Sequence, residues 1–106
     1  MPAYLINDME VTDPVLLDEY KKLSPATVAQ FGGKFLARGG DLAVLEGDWH
    51  PKRLVILEFP DRQQAEAWAN SAEYAPAKEI RKRAARSNIV VVEGAPPPAV
   101  TTGPSA

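Results

Sequence analysis

One arginine lies in a stretch of sequence that is otherwise apolar. Arg38 follows Phe35-Leu36-Ala37 and precedes the pair Gly39-Gly40, so we expect its guanidinium to lie against a sheet face or a groove. A planar guanidinium binds carboxylate and carbonyl oxygens through paired N–H donors. Arg38 is therefore a candidate for binding an anionic or carbonyl ligand. The structural alternative is an ion pair with Glu46 or Glu58.

A glutamate lies between two apolar residues in the strongest strand pattern of the chain. Glu58 follows Leu57 and precedes Phe59. A carboxylate that is partly desolvated in such a place has a raised pKa, which suits acid–base catalysis. The sequence does not determine a catalytic group, and its two candidates are Arg38 and Glu58. The alternative for Glu58 is an ion pair with Arg38 or Arg53.

Two tyrosines complete the set of candidate ligand-binding residues. Tyr20 and Tyr74 fall on the apolar faces of predicted helices, so both are expected to point toward the sheet. A phenol in that position can orient a ligand, whereas the alternative is a core tyrosine whose hydroxyl is satisfied within the protein. The candidate ligand-binding residues are therefore Arg38, Tyr20, Glu58 and Tyr74.

No pattern in the sequence predicts a metal or cofactor site. The chain has no cysteine, and its single histidine, His50, lies in the turn Trp49-His50-Pro51. Stable metal sites need three or four ligands within reach of one another. The pairs Gly32-Gly33 and Gly39-Gly40 lack the spacing and the strand-to-helix context of a nucleotide loop. We therefore predict neither a cofactor nor a metal.

Length and charge exclude several classes of partner. The 106 residues include 12 Lys and Arg and 14 Asp and Glu, with a formal net charge of −2. This length fits one domain. Because the two signs are interspersed, neither nucleic acid nor a membrane is expected as a partner. Without a signal-peptide pattern or an apolar run of ~18 residues, a cytoplasmic location is expected. One basic cluster is interpreted as the solvated face of a helix: Lys78, Arg81, Lys82, Arg83 and Arg86.

Periodicity and turn residues predict strands at 3–11, 34–46, 53–59 and 88–93, with helical regions at 13–31, 61–69 and 71–86. Ser24-Pro25 is expected to kink the first helix and to start a second short segment. Gly39-Gly40 is expected to bulge or bend the second strand. Asp61 is the predicted cap of the second helical region. Trp68 is predicted in the core, and Trp49 is expected at a hairpin tip, packed on a partner subunit.

The predicted order βαββαβ is that of an α+β, ferredoxin-like domain: a four-stranded antiparallel sheet with helices on one face. The third and fourth strands are apolar at both parities, whereas a sheet with one wet face alternates apolar and polar residues. A homodimer that covers the second face is therefore predicted, and the alternative is shielding by long side chains and the tail. The domain is assigned to residues 1–94. Residues 95–106, rich in proline and uncharged apart from the terminus, are predicted to be a flexible tail.

The sequence resembles the DUF1330 family, a small bacterial domain of unknown function in the dimeric α/β-barrel superfamily, over residues 3–94. The segments that carry the resemblance are Phe31-Gly32-Gly33-Lys34-Phe35, Arg38-Gly39-Gly40, Glu46-Gly47-Asp48-Trp49, Arg53-Leu54-Val55-Ile56-Leu57-Glu58-Phe59-Pro60, Ser71-Ala72-Glu73-Tyr74, Ala77, Arg81 and Val91-Val92-Glu93-Gly94. The resemblance implies a ferredoxin-like protomer and a barrel-forming homodimer, and it implies no settled activity.

Two functions from different classes follow from these residues. The first is binding or transformation of a small carbonyl or carboxylate compound, without a metal, in a groove between sheet and helices. The second is a non-catalytic homodimer that serves as a binding or structural protein. Fold alone does not separate the two. An enclosed pocket lined by Arg38, Glu58 and a tyrosine favours the first, and a packed core with paired charges favours the second.

Overall fold

The structure is a computed structural model that describes residues 1–96 of the chain. Its elements, in chain order, are β1 (Ala3–Val11), α1 (Pro14–Gln30), β2 (Lys34–Arg38), β3 (Leu54–Phe59), α2 (Arg62–Ala69), α3 (Ala75–Ala84) and β4 (Ala85–Glu93). None of the helices in this part of the chain is both long and apolar enough to cross a bilayer.

The four strands form one sheet in the order β2-β3-β1-β4, and every neighbouring pair is antiparallel. In the register, Leu5 of β1 lies opposite Leu57 of β3 on one side and Val91 of β4 on the other. This arrangement confirms the predicted α+β, ferredoxin-like fold with a four-stranded antiparallel sheet.

The helices begin where the sequence supplies a cap. The Leu16 amide donates to Asp13 Oδ1 at 3.0 Å, and the Gln64 amide donates to Asp61 Oδ1 at 2.7 Å. A carboxylate oxygen satisfies one of the free amides that every helix start leaves. The predicted Asp61 cap is confirmed.

The predicted break in the first helix is wrong. α1 runs without interruption from Pro14 to Gln30, with Pro25 inside it. Proline has no amide hydrogen, so the helix loses its hydrogen bond to the carbonyl four residues earlier, at Lys21. The helix tolerates this loss, and the free carbonyl of Lys21 is used elsewhere in the fold.

The second strand is shorter than predicted, because it ends at Arg38 instead of running to residue 46. Gly39 has φ +70°, which takes the chain out of the strand conformation, and the Arg53 guanidinium fills the space where a Cβ would be. Residues 40–45 have no strand partner. The bulge lies between Phe35 and Ala37, not at Gly39-Gly40 as expected.

The last helix and the last strand meet without a loop. α3 covers only Ala75–Ala84. Pro76 lies in its first turn, where proline is tolerated, so the helix begins close to this residue. Ala85 is already extended, so β4 begins three residues earlier than the predicted strand at 88. The Ala84 carbonyl accepts the amides of Thr12 and Asp13, which ties this junction to the end of β1.

The main core lies between one face of the sheet and the helices. Phe59 and Trp68 are buried, with ring centroids 5.6 Å apart, and Trp68 lies 4.0 Å from the ring of Tyr74. The Trp68 indole N–H donates to Thr27 Oγ1 at 3.0 Å, which satisfies the polar end of a buried side chain. Trp68 is in the core, as predicted.

The opposite face of the sheet carries no helix, and we call it the open face. In β4, Val90 and Val92 are 59% and 50% exposed. The neighbouring residues of β1 and β3 that share this face are half-buried: Tyr4, Ile6, Asp8, Leu54, Ile56 and Glu58.

Candidate functional site

A cavity of about 30 Å³ lies between α1 and the face of the sheet that the helices cover. Its walls include Leu5, Val28, Leu57 and Trp68. A volume of this size holds about two water molecules. It therefore admits the oxygen-bearing head group of a ligand but not a large ligand as a whole.

The two candidate tyrosines meet in this cavity. Their hydroxyl oxygens lie 2.8 Å apart, and both residues line the cavity. Tyr74 is only 2% exposed, and the Arg81 Nε–H donates to its hydroxyl oxygen at 3.1 Å. Burial is the main reason that the pKa of Tyr20 is raised, with the nearby Tyr74 hydroxyl adding to the effect. Tyr20 therefore stays protonated, and either hydroxyl can donate to the other.

Arg38 also lines the cavity, and its exposed side chain marks the cavity's open side. Its Nη2 donates to the Lys21 carbonyl at 3.0 Å, and its guanidinium lies 4.6 Å from the centroid of the Phe35 ring. This carbonyl is the one that Pro25 leaves without a helical partner. Pro25 thus creates the anchor that holds Arg38 at the mouth.

The bulge in β2 decides which face Arg38 occupies. Phe35 lies opposite Leu57, Ala37 opposite Ile56 and Arg38 opposite Val55. The extra residue, Leu36, reverses the alternation of side chains. Phe35 and Arg38 therefore share the helix-covered side of the sheet, whereas an unbroken strand would place Arg38 on the open face.

Expected partners of Arg38 are corrected by the structure. Neither Glu46 nor Glu58 pairs with it, and its contacts are the Lys21 carbonyl and the Phe35 ring. Because Arg38 is exposed, a carbonyl and an aromatic ring are sufficient partners, and water solvates the rest of the guanidinium.

Glu58 lies on the open face, away from the cavity. Its carboxylate pairs with Lys34 Nζ at 2.9 Å and accepts the Tyr4 hydroxyl at 3.2 Å. The hydrogen bond from Lys34 is the main reason that the pKa of Glu58 is lowered, and the Tyr4 hydroxyl acts in the same direction. The expected raised pKa is therefore wrong. The structure groups Arg38, Tyr20 and Tyr74 and separates Glu58 from them.

Several polar residues of the cavity were not predicted. Asn7 is buried with its Oδ1 unpartnered, and Arg53 has a buried Nε–H without an acceptor. Three cations line the cavity, Lys21, Arg38 and Arg53, and its described lining includes no Asp or Glu. Asn7 is the one polar residue at a buried position of β1, which is a signal that sequence alone contains. Arg53 carries no such signal, because it is the first residue of the predicted strand 53–59, and β3 itself begins one residue later, at Leu54.

Arg81 corrects the interpretation of the basic cluster as a solvated face. It is 6% exposed, whereas Lys82, Arg83 and Arg86 of that cluster are exposed. The helical spacing of Arg81 from Ala77 and Ala84 puts it on the buried stripe of α3. That spacing is visible in the sequence and distinguishes Arg81 from its basic neighbours.

The remaining sequence candidates lie outside the cavity. Trp49 is exposed, and its indole N–H donates to Asp8 Oδ2 at 2.8 Å on the open face. His50 is exposed in the same loop. Within residues 1–96, no three His, Cys, Asp or Glu side chains are grouped so that they could hold a metal ion.

The sequence matches the model of a protein family described as a domain of unknown function, DUF1330, over residues 2–95. The chain belongs to this family. The match spans nearly all of the described fold, including every strand and helix. None of the curated proteins matches the chain.

Three of the solved structures that share the fold illustrate the likeness. A protein of unknown function from Rhodopseudomonas palustris is 21% identical, with TM-score 0.69, covering 91% of this chain and 84% of its own. A dimeric ferredoxin-like protein of unknown function from Jannaschia sp. CCS1 is 14% identical, with TM-score 0.61 and coverage of 89% and 100%. SnoaB, a cofactor-independent oxygenase from Streptomyces nogalater, is 12% identical, with TM-score 0.60 and coverage of 94% and 98%. These likenesses establish the fold and not an activity.

Proposed function

We propose that this DUF1330 protein is a homodimer that binds a small carboxylate or carbonyl compound in the cavity between α1 and the sheet. The observation that carries the proposal is the chemistry of the lining. Its polar groups are mainly hydrogen-bond donors, three of them cationic, and no acid among the described lining residues neutralises them. Oxygen atoms with negative charge or a strong dipole complement such a lining.

Unsatisfied groups support the same proposal. Buried polar atoms in proteins almost always have a hydrogen-bond partner, and leaving one without a partner costs about 1–3 kcal/mol. Asn7 Oδ1 and Arg53 Nε have none within the described part of the protein. An oxygen-bearing ligand satisfies the Arg53 donor, and a water or ligand hydroxyl satisfies the Asn7 acceptor. Side-chain groups alone supply this binding, so the proposal includes no metal.

The homodimer is supported by the open face. Val90 and Val92 expose apolar surface next to half-buried Ile6 and Ile56. The sheet of another copy complements this surface, since a two-fold axis brings the same apolar patch from each protomer together. The dimeric ferredoxin-like neighbour from Jannaschia shares the fold. Two sheets packed in this way form the dimeric α/β barrel expected from the sequence.

Arg38→Met tests the binding proposal. Arg38 is exposed and has no carboxylate partner, so the free energy of unfolding of the variant is expected to lie within about 0.5 kcal/mol of the wild-type value. We expect wild-type protein to bind acetate, pyruvate or benzoate, and Arg38→Met to bind the best of these at least about tenfold more weakly, as loss of a charged hydrogen bond predicts. Isothermal calorimetry measures the affinities.

Arg83→Met is the matched control, because Arg83 is an exposed arginine of α3 that does not line the cavity. Its affinity for the same ligand is expected to equal that of the wild type. Equal weakening by both variants would indicate loss of net charge instead of a site. Absence of binding to wild-type protein, across the whole panel, would contradict the proposal.

A second function is favoured by the size of the cavity. With about 30 Å³ and an Arg38 already bonded to the Lys21 carbonyl, the interior is close to complete without a ligand. A non-catalytic homodimer that acts as a binding or structural protein fits this observation. The calorimetric panel separates the two, because this second function predicts no binding by wild-type protein.

A further inference from the structure

Arg81 is a buried cation without a counterion. It is 6% exposed, and within residues 1–96 no carboxylate lies within 4.0 Å of its guanidinium. Its side-chain hydrogen bond goes to the Tyr74 hydroxyl. A buried charge is strongly unfavourable unless an opposite charge or several hydrogen bonds compensate it. The positive charge of Arg81 is therefore available to an anion placed at the other end of the tyrosine pair.

The hydrogen bonds among these three residues leave one hydrogen free. A guanidinium only donates, so the Tyr74 oxygen accepts from Arg81. The bond between Tyr74 and Tyr20 uses one of the two phenolic hydrogens, whichever hydroxyl donates it. The second phenolic hydrogen remains, and both tyrosines line the cavity. The arrangement thus presents one polarised O–H donor to whatever occupies the cavity.

We propose that the chain Arg81–Tyr74–Tyr20 is an oxyanion-binding device, in which Arg81 donates to Tyr74, Tyr74 to Tyr20, and Tyr20 to the ionised oxygen of an enolate or phenolate ligand. This inference rests on the proposed binding function and narrows its ligand class to enolisable carbonyl compounds and phenols. Successive hydroxyl donors polarise one another, and the guanidinium charge strengthens the last donor. The two hydroxyl oxygens lie 2.8 Å apart, which allows Tyr74 to donate to Tyr20.

The surroundings of Tyr20 favour a single oxygen over a carboxylate at this end of the cavity. Leu5, Val28, Leu57 and Trp68 form apolar walls, and one free hydroxyl hydrogen matches one oxygen atom. The cavity volume accommodates the oxygen-bearing end, and the body of the ligand extends toward the mouth at exposed Arg38. The hydrogen bond from Tyr20 to a charged oxygen is stronger in such an apolar site than in water, because the local dielectric is low.

The ionisation state of bound 4-nitrophenol tests this device, since the phenol and the phenolate absorb at different wavelengths. The protein is titrated near the pH at which free 4-nitrophenol is half ionised. We expect the wild type to bind the phenolate about tenfold to a hundredfold more tightly than the phenol, as a charged hydrogen bond predicts. Binding then increases the phenolate absorbance. Nitrobenzene, which has no ionisable oxygen, and benzoate are the control ligands.

The double variant Tyr20→Phe/Tyr74→Phe removes both hydroxyls and keeps both rings. It is expected to bind nitrobenzene as the wild type does and to lose the preference for phenolate. Arg81→Lys retains the charge and is expected to retain most of the preference, whereas Arg83→Met is expected to retain all of it.

Two results would overturn the inference while leaving the proposed function intact. One is wild-type protein that binds benzoate, or binds 4-nitrophenol, while the phenolate absorbance of 4-nitrophenol does not increase. The other is a phenolate preference that persists in the double variant. The wild-type measurement decides the matter even where a variant does not fold. Wild-type protein that binds none of the ligands tested, including acetate and pyruvate, would overturn the inference and the proposed function together.

Discussion

The charged side chains on the two sides of the sheet differ in whether they have partners. On the open face, the Glu58 carboxylate has a cation and a hydroxyl as partners, in Lys34 and Tyr4. On the helix-covered face, Arg81 is buried without a counterion and Arg53 has a buried donor without an acceptor. The satisfied carboxylate needs no further partner. The buried Nε–H of Arg53 lacks an acceptor, and for this reason the helix-covered face is the better candidate for a site.

β3 contributes apolar residues to both faces of the sheet, one packed within the protomer and the other available for association. β3 is apolar at both parities, with Val55, Leu57 and Phe59 buried against the helices and Leu54 and Ile56 half-buried on the open face. Apolar composition alone is therefore a poor guide to which face is the core. The first face is completed within the protomer, whereas the second is the surface that we propose a second copy covers.

The largest effect is expected for truncation on the helix-covered face. Phe59 is fully buried and packs on Trp68. Phe59→Ala is expected to lower the free energy of unfolding by about 3–5 kcal/mol, because it removes buried contacts and leaves a cavity. Urea unfolding at fixed protein concentration measures this. Val15→Ala, at an exposed position of α1, is the control and is expected to change it by no more than about 0.5 kcal/mol. A small loss for Phe59→Ala would mean that this face is not the main core.

A charge on the open face tests association. Wild-type protein is expected to sediment as a dimer at micromolar concentration, and Val90→Asp is expected to raise the dimer dissociation constant by about a hundredfold or more, since it buries an unpaired charge. Sedimentation velocity over a range of concentrations measures the constant. Val15→Asp, on the outer side of α1, should leave the dimer unchanged. A monomeric wild type would remove the reason for proposing the interface.

The paired carboxylate of Glu58 on the open face is expected to make the stability of the fold depend on acid pH. Because the hydrogen bond from Lys34 lowers the pKa of Glu58 in the folded state, Glu58 stabilises the fold above its unfolded pKa. This stabilisation is lost as the pH falls through the lower, folded pKa. Glu58→Gln is therefore expected to reduce stability at neutral pH and to flatten the acid side of the profile.

The same pair acts at alkaline pH with the opposite sign. The bond to Glu58 raises the pKa of Lys34, so its contribution is present below the unfolded pKa of the lysine and is lost as pH rises through the folded value. Thermal unfolding across the pH range measures both effects. Glu73→Gln, at an exposed residue of the segment before α3, is the control. Parallel profiles for wild type and Glu58→Gln would show that the pair contributes nothing.

The smallest effect is expected at the carboxyl terminus. The predicted flexible tail, 95–106, lies mostly outside the described residues, which end at 96, and it stays a prediction. Gly94 belongs to the fold, because its amide donates to the Pro2 carbonyl at 2.7 Å. Removal of residues 97–106 is expected to change the free energy of unfolding by no more than about 0.5 kcal/mol. A larger loss, measured by urea unfolding, would show that the tail contributes to the fold.

Much of the fold was predictable because local signals agree with one another. Asp61 after Pro60 predicts a capped helix, and the strand at 3–11 matches β1 residue for residue. The second strand was overextended because Leu42-Ala43-Val44-Leu45 has the composition of a strand. The backbone of residues 42–45 has no strand partner in the protomer, because Gly39 turns the chain away from β3.

The candidate site was predictable in its residue types but not in its connections. Arg38, Tyr20 and Tyr74 were recognisable from the sequence as polar groups on otherwise apolar elements. Arg81 was visible on the buried stripe of α3, yet the neighbouring basic residues made a solvated face the simpler interpretation. Glu58 was misassigned because it alternates with apolar residues. Alternation shows which residues share a face of the sheet, but it does not show which face the helices cover.

By itself, the sequence determined the order of strands and helices, the family, and the supply of hydrogen-bond donors, because periodicity, caps and residue chemistry are local properties. Only the tertiary structure decided which donors meet. Pro25 and Arg38 are far apart in the chain, and they are connected because a proline frees one carbonyl and a one-residue bulge turns the arginine toward it. Tyr20 and Tyr74 are 54 residues apart and share a hydrogen bond only because α1 and the segment before α3 pack on the same face. Contacts of this kind depend on the register and packing of distant segments, and no local pattern encodes them.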